Sequence, residues 1–106
     1  MQQSDNDSIL SSYYGDEEVT AIITLKVETK DTDAVCESVS LLRSTVDVFL
    51  VTGDADIVVK AKFRNYGQLK GFLVEELPAV KGVKDTKTLM VVATFKEKGE
   101  QRSAQE

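Results

Sequence analysis

Two carboxylates stand one residue apart in the short polar loop Gly53-Asp54-Ala55-Asp56. β-Branched runs flank this loop, Val46–Thr52 before it and Ile57–Phe63 after it. Runs of this composition, bounded by Gly and Asp, predict two strands joined as a hairpin. Gly53 can adopt a positive φ that Val or Thr cannot, so the turn can be tight. The tip of the hairpin is therefore a candidate ligand site that offers carboxylates and exposed backbone groups.

The composition restricts catalytic and metal chemistry. Because the chain has no histidine, a zinc ion would need Cys36 and carboxylates alone, and Ser–His or Cys–His catalysis is excluded. The remaining acid–base candidates are Asp47, Asp54, Asp56 and the tyrosines, and they form no constellation visible in the sequence. Cys36 has no base nearby in sequence, so we interpret it as a small buried or half-buried apolar residue. We expect no enzyme, no metal and no cofactor.

Length and charge indicate one globular domain. The chain has 106 residues, 42% of them hydrophobic and 29% charged. Its net charge of −5 argues against a stand-alone nucleic-acid binder, which usually has a basic surface. No apolar run approaches the ~20 residues of a membrane span. A polar, acidic start at Gln2–Ser8 is unlike a signal peptide, and a single cysteine is typical of a reducing compartment, so we expect a cytoplasmic protein.

The pattern along the chain predicts four strands and two helices. Besides the hairpin, Val19–Val27 and Asp85–Lys96 alternate as strands. A helix from Thr32 through Arg43, capped by Asp31 or Thr32, carries the apolar stripe Val35, Val39 and Leu42. A second helix from Tyr66 to about Leu77 has Asn65 as its N-cap and Pro78 at its end.

The predicted order β-α-β-β-α-β is the ferredoxin-like pattern of the α+β class. Right-handed crossovers place both helices on one face of a four-stranded antiparallel sheet. We expect this domain to cover residues 19–96, between a flexible N-terminal extension, 1–18, and a disordered tail, 97–106. Within the extension, Ile9, Leu10, Tyr13 and Tyr14 form an apolar island that could add an edge strand or dock on a partner.

The alternation also predicts the two faces of the sheet. The predicted helix-facing side chains are Ala21, Ile23, Leu25, Ile57, Val59, Ala61, Phe63, Leu89, Val91, Ala93 and Phe95. The opposite face should be polar if it meets water, yet it is predicted to carry Ile22, Val58, Met90, Val92 and much of Val46–Val51. We therefore predict a sheet-to-sheet dimer.

Three stretches together resemble a known family. Leu50–Ala61 resembles the signature hairpin of the ligand-binding domain of leucine-responsive/asparagine-regulator (Lrp/AsnC) transcription regulators. The helix pattern Leu69…Phe72-Leu73…Leu77 follows at the family's distance. Gly82–Thr88 is similar to the family's Gly-Val-x-x-Thr-x-Thr lead into the final strand. The resemblance covers about Val19–Lys96.

One departure from the family pattern concerns DNA binding. Family members usually carry an N-terminal helix-turn-helix domain, which needs about three helices of ~10 residues. The first 18 residues, which contain Gly15, cannot supply it. The chain therefore resembles the stand-alone form of the module, known as a RAM (regulator of amino-acid metabolism) domain, and we expect no direct DNA binding.

The resemblance implies amino-acid sensing by dimers that assemble into higher oligomers, with the effector bound where two dimers meet. By position, it assigns the ligand site to Gly53, Asp54, Asp56, Thr86 and Thr88. A carboxylate can pair with an α-ammonium, while loop amides and threonine hydroxyls can hold an α-carboxylate. The alternative is that Asp56 ties its own loop and that the threonines are ordinary strand residues.

The leading functional interpretation is a non-enzymatic sensor and oligomerisation module in transcription regulation, acting with full-length Lrp-like regulators. A first alternative is an amino-acid-binding regulatory subunit of a metabolic enzyme. A second is a small dimeric ferredoxin-like enzyme that encloses a cavity.

Overall fold

A computed structural model describes residues 18–102 of the chain. Residues 1–17, with the apolar island of the predicted extension, lie outside the described residues, as do residues 103–106.

The described residues form one four-stranded antiparallel sheet with two helices on one face. The strands are β1 (Val19–Val27), β2 (Thr45–Leu50), β3 (Ile57–Phe63) and β4 (Val83–Met90), in the spatial order β2-β3-β1-β4. The helices are α1 (Thr32–Ser40) and α2 (Tyr66–Gly71), the latter continued by a π-helical turn, Phe72–Glu76. The predicted ferredoxin-like α+β fold is confirmed.

The core lies between the sheet and the helices. Alternate residues of β1 and β3 are buried there, as predicted, together with the apolar stripes of both helices. Its members are Val19, Ala21, Ile23, Leu25, Val27, Val35, Val39, Ile57, Val59, Ala61, Phe63, Leu69, Phe72 and Leu77. The Phe63 and Phe72 rings, one from β3 and one from the π-helical turn, meet at 5.2 Å between centroids. The other face of the sheet, called the open face below, carries the intervening residues of these strands.

Helix α1 is shorter than predicted, ending at Ser40 rather than Arg43. The Leu41 and Leu42 amides donate to carbonyls three residues back, so the chain tightens into a turn. No side chain caps the start of the helix: Asp31 occupies the N-cap position without a capping hydrogen bond, and the Thr32 hydroxyl donates to the Thr29 carbonyl oxygen at 2.9 Å. The predicted capping at this helix was therefore wrong.

Helix α2 begins as predicted. The Asn65 side-chain oxygen accepts a hydrogen bond from the Gln68 amide at 2.9 Å. Near its end the helix widens, and the Leu77 amide donates to the Phe72 carbonyl oxygen at 2.8 Å. The π-helical turn ends at Glu76, two residues before Pro78, which has no amide to continue the helix.

Gly82 connects α2 to β4 in a conformation that requires glycine. Its φ is +103°, and a Cβ at this position would lie 2.8 Å from Val35 Cγ2 and 3.0 Å from Asp31 Cβ. Its carbonyl oxygen accepts a hydrogen bond from the Glu28 amide. Gly82 therefore lets this connector pass close to the start of α1.

The last strand corrects two predictions. It spans Val83–Met90 rather than Asp85–Lys96, and its side chains face the opposite way. Leu89 pairs with Ile22 on the open face and is 61% exposed, whereas Met90 pairs with Ala21 and packs on the core. Ala93 and Phe95 are also exposed rather than helix-facing. The apolar run Leu89–Ala93 contains no alternation that could reveal which side faces the core.

The chain after β4 is also more ordered than predicted. Val91 still bonds to β1, through its amide and the Thr20 carbonyl oxygen, and then β5 (Lys96–Glu97) pairs with β6 (Glu100–Gln101) in a short hairpin. The disordered tail expected from residue 97 is therefore wrong for residues 97–101. Lys98 and Gly99 both have positive φ, which makes the two-residue turn of this hairpin.

Candidate functional site

Loop 53–56 is held to the sheet by backbone bonds and by one carboxylate. The Val51 amide donates to the Asp56 carbonyl oxygen, and the Asp56 amide donates to that of Leu25, each at 2.9 Å. Asp56 Oδ2 accepts a hydrogen bond from the Val27 amide at 2.9 Å. Gly53 has φ +120°, the positive value predicted for it. The Asp56 carboxylate therefore ties its own loop, which was the alternative reading of this residue.

The Val27 amide is available to Asp56 because it lies beyond the paired part of β3. The Leu25 carbonyl accepts from the Asp56 amide, and Val27, two residues further along β1, faces the same side. The register of β1 with β3 ends at Leu25 and Ile57, so the Val27 amide has no strand partner there. The carboxylate takes that place, and the loop is thereby fixed over the end of β1.

A small cleft opens beside the loop, at the edge of the open face. Its volume is about 170 Å³. Its lining comes from β1, the loop and β4, and consists of Thr24, Lys26, Asp54, Ala55, Asp85, Thr86 and Lys87. Asp54 is exposed, and its carbonyl oxygen accepts a hydrogen bond from Lys26 Nζ at 3.0 Å. The structure thus brings a loop carboxylate and a β4 threonine together at one cavity.

The five predicted site residues do not all line this cleft. Asp54 and Thr86 line it, whereas Gly53 shapes the loop and Asp56 points its carboxylate at β1. Thr88 pairs with Ile23 and Thr86 pairs with Leu25, and both partners are buried in the core. Both threonines therefore lie on the helix side of the sheet, with Thr86 at the edge of the cleft.

Five residues of the cleft were missed: Thr24, Lys26, Ala55, Asp85 and Lys87. In the register of β1 and β4, Thr24 pairs with Lys87 and Lys26 with Asp85. The alternation of β1 does assign Thr24 and Lys26 to the open face, and the fold makes β4 its neighbour. Because the side chains of β4 were predicted to point the opposite way, Lys87 and Asp85 were assigned to the helix side and not to the cleft.

A second groove lies between α1 and the edge strand β2. Asp33, Cys36, Glu37 and Ser40 form one side, with Val48 and Leu50 on the other. Burial, and secondarily the negative charge of Asp33, raises the pKa of the Cys36 thiol. The thiol is therefore protonated at neutral pH, and Cys36 packs half-buried against the core, as expected of an apolar residue.

The strongest ion cluster holds the C-terminal hairpin on the open face. Glu97 Oε2 lies 2.5 Å from Lys60 Nζ and 3.4 Å from Lys62 Nζ, and its Oε1 lies 3.0 Å from the Arg102 guanidinium. Hydrogen bonds from Lys60 and then Lys62 lower the pKa of Glu97 to about 2. Glu97 is thus a clamp that fastens the hairpin to β3.

Within residues 18–102, no group of three or more cysteine, aspartate or glutamate side chains is placed to hold a metal ion. None of the helices described there combines the length and apolar character needed to span a membrane.

Comparison with known proteins places this fold and loop in a class of regulators. The family model for the Lrp/AsnC ligand binding domain matches residues 20–101. The chain belongs to this family, as the hairpin and Thr-x-Thr resemblance predicted.

Individual relatives support the same placement. The chain is 34% identical over 77 residues to the HTH-type transcriptional regulator FL11 of Pyrococcus horikoshii, covering 73% of this chain and 50% of FL11. It is also 34% identical over 77 residues to a homocitrate synthase of Sulfurisphaera tokodaii, covering 72% of this chain and 16% of the enzyme. The fold is similar to that of the transcriptional regulator NMB0573 of Neisseria meningitidis in its L-Met complex, with a TM-score of 0.70 and 20% identity, covering 95% of this chain and 71% of that one. The chain spans about half the length of the regulators it matches in sequence.

Proposed function

We propose that this chain is a non-enzymatic module that senses a free amino acid through the cleft beside loop 53–56 and self-associates through the open face. The observation that carries the proposal is the cleft itself, because it joins the loop carboxylate of Asp54 to Thr86 at a cavity of amino-acid size. Family membership supports an effector-binding role, and NMB0573, a relative in fold, is described in complex with L-Met. The proposed setting is the cytoplasm, in transcription regulation.

A second copy is proposed to cover the part of the open face that the C-terminal hairpin leaves exposed. Phe49 pairs with Val58 on that face and is 55% exposed, and Leu89, across β1 from β3, is 61% exposed. A sheet face that meets water is ordinarily polar, and large apolar side chains at its surface mark an interaction site. The dimer would in turn build the higher oligomer that the family resemblance implies.

Full-length Lrp-like regulators are the proposed protein partners. The described residues contain no helix-turn-helix, so DNA contact would come through such a partner. Co-purification with a co-expressed regulator from the same genome, followed by a mobility shift, tests this step. The chain alone should not shift the DNA. When it is added to the regulator, it should change the mobility shift that the regulator causes.

A second candidate function has one specific observation behind it. The same sequence segment aligns with part of a homocitrate synthase, which is an enzyme. The module would then regulate an enzyme by binding its amino-acid effector. Co-purification with the enzyme rather than with a regulator, and an effector-dependent change in that enzyme's activity, would favour this alternative.

Thermal unfolding of the whole chain with each of the twenty amino acids tests the sensing proposal. A ligand at tenfold excess over its Kd stabilises a protein by about 1.4 kcal/mol, which corresponds to roughly 5–10 °C in a domain of this size. At least one amino acid should raise the Tm by several degrees, and Asp54→Ala should abolish the shift. An unchanged Tm with every one of the twenty amino acids at millimolar concentration would contradict the proposal.

A further inference from the structure

The C-terminal hairpin formed by β5 and β6 rests on the sheet through a single side chain. In the segment 92–102, every residue except Glu97 is exposed. The Glu97 side chain is only 12% exposed, because one oxygen lies against Lys60 and Lys62 of β3 and the other against Arg102. No apolar side chain of this segment is buried, so its attachment to the sheet is electrostatic and local.

The apolar side chains next to the hairpin point to solvent. Val92 is 74% exposed and Phe95 is 65% exposed. The hairpin also closes on itself without help from the sheet, since β5 pairs with β6 and the Arg102 amide donates to the Phe95 carbonyl oxygen at 2.7 Å. Surface segments that bury little apolar area open at a low cost in free energy. The hairpin can therefore leave the sheet as a unit once the ion pairs of Glu97 are broken.

The attached hairpin covers one end of the open face. Lys60 and Lys62 alternate with the buried residues of β3, so their side chains project from the open face. Lys62 pairs with Thr20 of β1, and the Thr20 carbonyl oxygen accepts the hydrogen bond from the Val91 amide. The segment that follows β4 thus crosses β1 and reaches β3 at this end of the sheet.

A second copy and the hairpin would occupy the same layer above the sheet. Stacked sheets lie about 10 Å apart, and the Glu97 carboxylate already lies within 3.4 Å of two ammonium groups that project into this layer. Four strands of about seven residues give a face of roughly 19 by 23 Å. A stable interface buries about 800 Å² on each partner. A face of this size therefore has no area to spare, and covering one end of it weakens the contact.

Resting on the self-association proposed above, we infer that the C-terminal hairpin is an autoinhibitory strap on the open face. While Glu97 binds Lys60 and Lys62, the hairpin excludes a second copy from one end of the face. When these ion pairs open, the hairpin leaves the sheet, the two lysines turn their ammonium groups outward to water, and two copies meet over the whole face. The apparent affinity is reduced according to the fraction of molecules whose hairpin is attached.

NMR relaxation of the isotopically labelled full chain tests the attachment. In the wild type, the backbone order parameters of residues 96–101 should match those of the strands, at about 0.85, and Glu97→Gln should lower them below about 0.6. Glu100→Gln is the matched control. It removes the same charge from the same hairpin, but Glu100 is exposed and forms no ion pair within residues 18–102. Unchanged order in Glu97→Gln would overturn the inference.

Sedimentation equilibrium of the same three proteins tests the inhibition. Glu97→Gln should dimerise roughly 3- to 30-fold more tightly than the wild type, because it removes the charge-assisted hydrogen bonds that hold the strap in place. Glu100→Gln should stay within about twofold of the wild type, because one exposed charge contributes little. Equal tightening by both variants would assign the effect to net charge and would contradict the strap.

The outcomes separate this inference from the function on which it rests. If Glu97→Gln releases the hairpin but dimerises no more tightly, or more weakly, the hairpin is part of the interface. That result would overturn the inference and leave self-association intact. Protein that remains monomeric in all three forms at hundreds of micromolar would overturn the self-association itself.

Discussion

The Asp56 carboxylate accepts a hydrogen bond from the Val27 amide at 2.9 Å, across 29 positions of the chain. This contact fixes the hairpin loop to the end of β1, and thereby sets where the neighbouring Asp54 stands. Within one Asp-x-Asp pair, one carboxylate supports the loop and the other faces the cleft. The two aspartates should therefore respond differently to substitution.

Replacing Asp56 with alanine should lower the free energy of unfolding by about 1–3 kcal/mol, because the Val27 amide loses its only acceptor in the described structure. Asp56→Asn keeps a side-chain acceptor and should cost less. Urea denaturation measures both. The matched control is Asp54→Ala, which should change stability by no more than about 0.5 kcal/mol. Equal stability of the two alanine variants would contradict the division of roles.

Gly82→Ala should destabilise the fold by roughly 2 kcal/mol or more, since it combines an unfavourable positive φ with a clash against Val35. Gly53→Ala is the informative comparison. It shares the positive φ, but nothing lies within 4 Å of the added Cβ. Denaturation midpoints should therefore rank wild type above Gly53→Ala and Gly53→Ala above Gly82→Ala. A reversed order of the two variants would show that the close approach at Gly82 is unimportant.

Glu97 predicts a pH dependence of defined sign. Its pKa is lowered from 4.5 to about 2, so its contribution to stability is complete above about pH 4.5 and is lost as the pH falls towards 2. The stability difference between wild type and Glu97→Gln should shrink across that interval. An NMR titration of the Glu97 carboxyl group should give a midpoint near 2, and Lys60→Gln should raise it. A midpoint near 4.5 in the wild type would mean that the clamp is open in solution.

The open face predicts self-association that depends on Phe49 and Leu89. The double substitution Phe49→Ser, Leu89→Ser should shift sedimenting protein from dimer to monomer at tens of micromolar, since both side chains are large, apolar and more than half exposed. Leu41→Ser is the control, because Leu41 is 81% exposed but lies at the end of α1. A wild-type protein that sediments as a monomer, or a double variant that still sediments as a dimer, would contradict the proposed interface.

Local sequence patterns predicted most of the fold. Both ends of strand β1 were predicted correctly, because its buried apolar side chains alternate with side chains that are polar, except for Ile22. The start of α2 was predicted correctly because Asn65 is a strong N-cap. The predicted orientation of β4 was wrong because the apolar run of this strand occupies both faces of the sheet. Which of its side chains face the core depends on the bulge opposite Lys26. That bulge is a tertiary feature, which no periodicity within β4 reports.

The candidate site was predictable only in part, for the same reason. Asp54 lies in a loop whose position follows from the hairpin signal, so it could be selected from sequence. Lys87 and Asp85 enter the cleft through the register of β4 against β1. The ordered hairpin after β4 was missed because its attachment is the ion cluster of Glu97 with Lys60, a pair 37 positions apart.

The amide spectrum of the isotopically labelled chain, recorded with and without saturating amino acid, tests the central claim most directly. If the cleft beside loop 53–56 is the effector site, the largest shifts should cluster at Lys26, Asp54, Thr86 and Lys87, with the α1–β2 groove around Cys36 unchanged. Shifts centred on that groove, or an unchanged spectrum with all twenty amino acids, would contradict the assignment.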